Sequence, residues 1–155
     1  MDTTSTSYRF WGEFEHAVDD KGRVIIPQDF RGPLGEEFVV TRGTDKAIFV
    51  FPTPVWNRFE ETLNSSVMQR ETAYLQRLFG SRTFVKLDPQ YRLGIPKHLR
   101  EHAGISQSQT AVIIGQGSKL EIWSKPAWDD YCANFTSENV FQAAETIGLA
   151  DVLTK

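Results

Sequence analysis

The sequence predicts a mainly β fold with short helices (α+β), built from two tandem copies of one small unit. Three observations carry this reading. An ordered series of identities recurs at a nearly fixed offset, and short runs of alternating or apolar residues are bounded by Gly and Pro. The length of 155 residues also suits one compact domain or two very small ones fused.

The repeat sets residues 18–27 (Val-Asp-Asp-Lys-Gly-Arg-Val-Ile-Ile-Pro) against residues 87–96 (Leu-Asp-Pro-Gln-Tyr-Arg-Leu-Gly-Ile-Pro), an offset of 69 throughout. It continues through Phe30-Arg31 and Leu99-Arg100, Gly35 and Gly104, and Val39-Val40 and Val112-Ile113. It ends with Pro54-x-Trp56 against Pro126-x-Trp128. The offset drifts only where loops are expected, and loops tolerate length changes cheaply.

Within the first unit, residues 13–18 alternate as a half-buried strand does. Asp19-x-x-Gly22 supplies a turn: the Asp side chain bonds its own backbone two residues on, and Gly takes positive φ. A second strand at 23–26 stops at Pro27, which has no N–H for a ladder. A short helix from Gln28 to about Leu34 ends near Gly35. Strands at 38–41 and 46–51 follow, joined by a turn at 43–45. Thr53-Pro54 then opens a helix with the apolar stripe Val55, Trp56, Phe59 and Leu63. The second unit predicts strands at 82–87 and 92–95, a helix near Lys97–Ala103, strands at 110–114 and 120–123, and a helix from Lys125 or Pro126. A connecting helix is expected at 67–79, and a last one capped by Ser137 running to Gly148. The organisation is therefore a flexible tail (1–9), a first unit (10–56), linking helices (57–80), a second unit (81–128) and a C-terminal helical segment (129–155). Units this small bury too little surface alone, so the two are expected to interleave around one core with an internal pseudo-two-fold.

Composition narrows the class. Hydrophobic residues at 40% and charged residues at 24% exclude a wholly disordered chain, and no apolar run approaches the ~20 residues of a membrane span. Residues 1–7 lack the basic start and apolar stretch of a signal peptide. The single cysteine, Cys132, excludes an internal disulfide and fits a reducing cytoplasm. The net charge of −3 argues against a nucleic-acid binder in bulk, but the charges are segregated. Five Lys/Arg against two acids lie between Arg82 and His102, whereas residues 129–155 hold five acids and one Lys.

Arg23 and Arg92 have two readings: a guanidinium aimed at phosphate or at guanine, or a structural pair with Asp19 or Asp88. From the residues alone the structural pair is favoured, because turn charges are usually solvated or paired. Lys21 at the loop tip fits a phosphate contact, and Arg31 and Arg100 on the short helices are weaker candidates. Asp19, Gly22 and Asp88 read as loop-structuring. His98-Leu99-Arg100-Glu101-His102 matches an inverted zinc-peptidase pattern, but Pro96 and Gly104 leave barely two helical turns and no further ligand follows. The stretch from Gly115 to Lys119 reads as a hairpin turn, not a phosphate cradle. The four tryptophans are expected in the core or at interfaces. No metal, cofactor or small-molecule substrate is expected.

The doubled Asp-x-x-x-Arg-x-x-x-Pro, with residues 10–13 (Phe-Trp-Gly-Glu) before it and residues 120–123 (Leu-Glu-Ile-Trp) near its end, resembles the signature of the MraZ family. That family is a two-repeat relative of AbrB-like swapped-hairpin DNA-binding domains. The resemblance spans residues 10–131. It implies a double-psi swapped-hairpin barrel formed by the two repeats and a homo-oligomeric ring. It also implies a nucleoid-associated repressor that binds short direct repeats of double-stranded DNA upstream of the division and cell-wall gene cluster. Under it, Arg23 becomes the main expected DNA contact, with Arg92, Lys21, Arg31 and Arg100 behind it. Tyr91 departs from the pattern, standing where the first unit has Gly22. A non-Gly residue is disfavoured at positive φ, so a different bend is expected in the second loop. The rival readings are an oligomeric scaffold or antitoxin-like partner-binding module that does not read DNA, and an enzyme, at which only His98 and His102 hint.

Overall fold

The computed structural model describes residues 9–154. The tail expected at 1–9 lies, except for Arg9, outside them. Two compact bodies are present, one ending at Lys125 and the other running from Pro126.

The first body runs β1 (Glu13–Ala17), β2 (Arg23–Ile25), α1 (Gln28–Leu34), β3 (Phe38–Arg42), β4 (Ile48–Pro52), α2 (Thr53–Ser65) and α3 (Arg70–Phe79). It continues with β5 (Thr83–Val85), β6 (Arg92–Gly94), α4 (Lys97–Ala103), β7 (Thr110–Gln116) and β8 (Lys119–Ser124). The strands form an antiparallel six-stranded sheet in the order β1-β7-β8-β4-β3-β5 and a separate ribbon of β2 and β6.

Every pairing except the β3–β4 and β7–β8 hairpins joins one repeat to the other. The registers obey one pseudo-two-fold. In the ribbon Val24 faces Leu93, its own repeat mate, flanked by Arg23–Gly94 and Ile25–Arg92. At the sheet centre Phe49 faces Glu121, flanked by Ile48–Ile122 and Val50–Leu120. The outer pairs correspond too: His16–Ala111 in β1–β7 matches Val85–Phe38 in β5–β3. The expected interleaving is therefore present, and one core serves both repeats. Val18, Val24, Ile26, Phe30, Val40 and Ile48 from the first pack with Leu93, Ile95, Leu99, Ile113, Leu120 and Ile122 from the second.

Among the described residues the strands do not close into one barrel, so the double-psi swapped-hairpin barrel that the resemblance implies is not seen as a closed ladder. β1 and β5 are edges of the six-stranded sheet, and the ribbon is a separate ladder. The prolines explain the short ribbon: Pro27 and Pro96 lack the N–H that would extend β2 and β6. Each proline precedes a helix of about two turns, and Gly35 (φ 82) and Gly104 (φ 67) end α1 and α4. On the sheet's other face, Phe49 and Phe51 meet Trp56 and Phe59 of α2 and Phe79 of α3, with Phe59 and Phe79 centroids 4.8 Å apart.

Gly115 in β7 sits where residues 10–11 cross. Its amide donates to Gly12, and a Cβ there would collide with the backbone of Phe10 and Trp11. Backbone held on both sides cannot yield as a side chain can. Gly115→Ala should therefore lower stability by about 1–3 kcal/mol or more, read as a reduced melting temperature.

The second body carries α5 (Lys125–Cys132), α6 (Ser137–Thr146) and α7 (Ala150–Leu153). Trp128, Tyr131 and Phe135 form an aromatic cluster in it. The α6 cap is Thr136, whose hydroxyl accepts the Asn139 N–H at 3.1 Å, one residue before the expected Ser137. No described helix is long and apolar enough to cross a membrane.

Candidate nucleic-acid interface

The β1–β2 and β5–β6 loops are built alike. Asp19 Oδ1 accepts the N–H groups of Lys21 (2.9 Å) and Arg23 (2.8 Å), and Oδ2 accepts Arg23 Nε (2.7 Å). Asp88 does the same with Gln90 (2.9 Å), Arg92 (2.9 Å) and Arg92 Nε (2.8 Å). Each Asp carbonyl also accepts the fourth-position amide, from Gly22 at 3.0 Å and from Tyr91 at 2.9 Å. One carboxylate thus fixes both the turn and the guanidinium plane after it. The backbone N–H bonds from Arg23 and Arg92, opposed by partial desolvation and helped by the guanidinium bonds, hold both carboxyls below their ordinary value of 3.8.

A lowered native pKa means the carboxylate stabilises the fold above its unfolded value, and that contribution is lost as pH falls through the native one. Asp19→Asn keeps an oxygen acceptor but removes the charge. Its melting temperature should fall short of the parent's at pH 7, and the gap should narrow as pH drops below 3.8. A gap unchanged down to strong acid would show that the charge contributes nothing.

The second loop does not bend differently from the first. Tyr91 takes φ 63 beside Gly22's φ 76. One left-handed residue costs roughly 1–2 kcal/mol. Offsetting it are the Asp88 bonds and the Arg31 guanidinium, which sits over the Tyr91 ring 4.1 Å from its centroid. The loops also lock each other across the pseudo-two-fold. Ile95 N–H donates to the Gly22 carbonyl and Ile26 N–H to the Tyr91 carbonyl, both at 3.0 Å.

The predicted basic residues accordingly converge. Because Val24 and Leu93 point into the core, Arg23 and Arg92 occupy the ribbon's outward face. Arg92 Nη1 lies 3.9 Å from Asp19 Oδ2, so the two Asp–Arg pairs are neighbours. Both arginines are paired and about a quarter exposed, at 28% and 26% of the side chain, rather than standing free on an exposed turn. Arg31 and Arg100 flank them, each Nε donating to a backbone carbonyl, Ile26 at 2.8 Å and Ile95 at 3.0 Å. Lys21 is exposed at the first tip.

Sequence reasoning passed over Ile25, 41% exposed, and Tyr91, 50% exposed, as surface candidates on this face. The period-2 alternation of residues 23–25 was the signal for Ile25. The histidines face different carbonyls, His98 that of Ser81 (3.5 Å) and His102 that of Ala47 (3.1 Å). Among the described residues no group of three His, Cys, Asp or Glu is placed to hold a metal.

Comparison with known proteins agrees with the repeat. A family model described as "MraZ protein, putative antitoxin-like" matches twice, over residues 10–78 and 78–150. A protein of Oenococcus oeni named transcriptional regulator MraZ is 42% identical over 140 residues, 89% of this chain and 96% of that one. Like-named proteins of Moorella thermoacetica (39% over 138 residues; 88% and 94%) and Halothermothrix orenii (38% over 144 residues; 90% and 99%) are similar throughout. With two matches that together span residues 10–150, the chain belongs to the MraZ family.

Proposed function

We propose that this protein is a sequence-specific DNA-binding transcriptional regulator that reads double-stranded DNA with the β2–β6 ribbon and its two loops. The observation that carries the reading is the outward ribbon face, with Arg23 and Arg92 either side of a pseudo-two-fold, each oriented by its own aspartate. A two-stranded ribbon fits the major groove, and an oriented guanidinium matches guanine O6 and N7 or a phosphate. With Nε engaged by the carboxylate, the Nη donors are left for the nucleic acid. Lys21 serves as a phosphate contact, and Arg31 and Arg100 support from the helices. The relatives' name, transcriptional regulator, supports the same reading. The sheet and ribbon, wrapped on one core with cross-repeat pairing, are read as the two parts of a swapped-hairpin barrel. Residues 10–56 and 81–128 are read as the two units that carry the ribbon, with the linking helices at 57–80 and the C-terminal segment at 129–155 outside them.

In this reading several copies form a ring, and the ring represses by gripping short direct repeats upstream of a division and cell-wall gene cluster. The protein would then act in the cytoplasm, on the nucleoid. A gel shift of the full chain on the DNA upstream of its own gene, against a shuffled duplex, tests the core claim. Retention of that duplex alone is expected. Equal retention or none would overturn the reading and favour a scaffold that does not read DNA.

A further inference from the structure

The two repeats share a frame but not a reading face. Positions that anchor the loops are the same in both: Asp19 and Asp88, Arg23 and Arg92, Arg31 and Arg100. Other positions of the tips and ribbon differ. Asp20 corresponds to Pro89, Lys21 to Gln90, Gly22 to Tyr91 and Ile25 to Gly94. Lys21, Ile25, Gln90, Tyr91 and Gly94 are all exposed, while Gly22 is buried. Gly22 is covered by Arg100: a Cβ on it would come within 2.7 Å of Arg100 Nε. In the second loop the tyrosine ring takes that place, and Arg31 stacks over it instead.

A two-fold frame carrying identical tips would read a palindrome. This frame presents an aspartate and a lysine beside a glycine buried under Arg100 on one side, and an amide beside an aromatic–guanidinium stack on the other. From this we infer that Gln90 and Tyr91 determine specificity, making the ribbon read an asymmetric site in one orientation. The inference rests on the DNA-binding reading above. The glutamine amide suits adenine N6 and N7, and the tyrosine ring suits the thymine methyl; a lysine offers a phosphate only a point charge.

The test is selection by the full chain from a library of randomised duplexes, repeated with Gln90→Lys/Tyr91→Gly, which gives the second loop the third and fourth residues of the first while Pro89 stays in place. The parent is expected to enrich a non-palindromic motif, and the double variant one whose two halves match more closely. The double variant should also lose about tenfold in affinity for the parent's motif, the worth of one good base contact. Identical motifs from both proteins would overturn the inference while leaving DNA binding intact. No enrichment by the parent would overturn the DNA-binding reading and this one with it. Gln90→Ala, a change at an exposed tip, provides a second measurement should the double variant fold poorly. It should relax selection in one half of the motif only, and relaxation in both halves or neither counts against the assignment.

Discussion

Arg23→Ala and Arg92→Ala should each weaken binding to the target DNA by more than about a hundredfold, and to a comparable extent. One oriented guanidinium contact is worth about 1–3 kcal/mol, and in the proposed ring the loss would recur in every copy that touches DNA. The comparable size follows from the loops, which have the same aspartate bonds, the same positive-φ fourth residue and guanidinium groups exposed to the same degree. From the sequence, Tyr91 suggested a weaker effect at Arg92; its left-handed backbone removes the reason. Both variants should also melt modestly lower than the parent, since each arginine holds an aspartate as well as facing outward. Lysine should not restore binding at either position. It is a point charge without Nε, so it can neither accept the aspartate's orientation nor present a fork. Fluorescence anisotropy at one salt concentration, beside thermal melting, reads all of this. Unchanged binding with a lowered melting temperature would reduce both arginines to structural braces.

What could be read in the sequence was what local chemistry decides. Proline after each short strand and glycine after each short helix fixed the ends of β2, α1, β6 and α4. The Asp-x-x-x-Arg spacing also foretold the carboxylate that caps the turn and holds the arginine. Non-local pairing was legible only as a need for shared burial. Nothing in residues 23–25 names β6 as their partner; that choice is made by Val24 and Leu93 meeting in the core. Tyr91 departs from its propensity because the cation–π contact comes from a helix in the other repeat, which local sequence does not reveal. Trp11, 69% exposed, departs from the burial of the other three tryptophans.

Shortening the target from three repeats to one should lose affinity far beyond threefold, by about a hundredfold or more. Each copy of the chain offers one ribbon with two arginines and a single exposed tip lysine, too few contacts for tight binding alone. The net charge of −3 supplies no general attraction to make up the difference. When copies are linked in a ring, the second and third contacts become intramolecular, and their gain is an effective concentration rather than new chemistry. The benefit exists only if repeat spacing matches the spacing of ribbons on the ring. Inserting half a helical turn between repeats should therefore cost nearly as much as deleting one. Salt separates the contributions further: log K should fall by about 0.9 per phosphate neutralised for each unit rise in log salt, so the three-repeat duplex should show the steeper slope. Anisotropy on one-repeat, three-repeat and half-turn-shifted duplexes at two salt concentrations, with light scattering to fix the oligomer, measures each term. A monomer that binds all three duplexes alike, with equal slopes, would falsify the ring and leave the ribbon as a solitary reader.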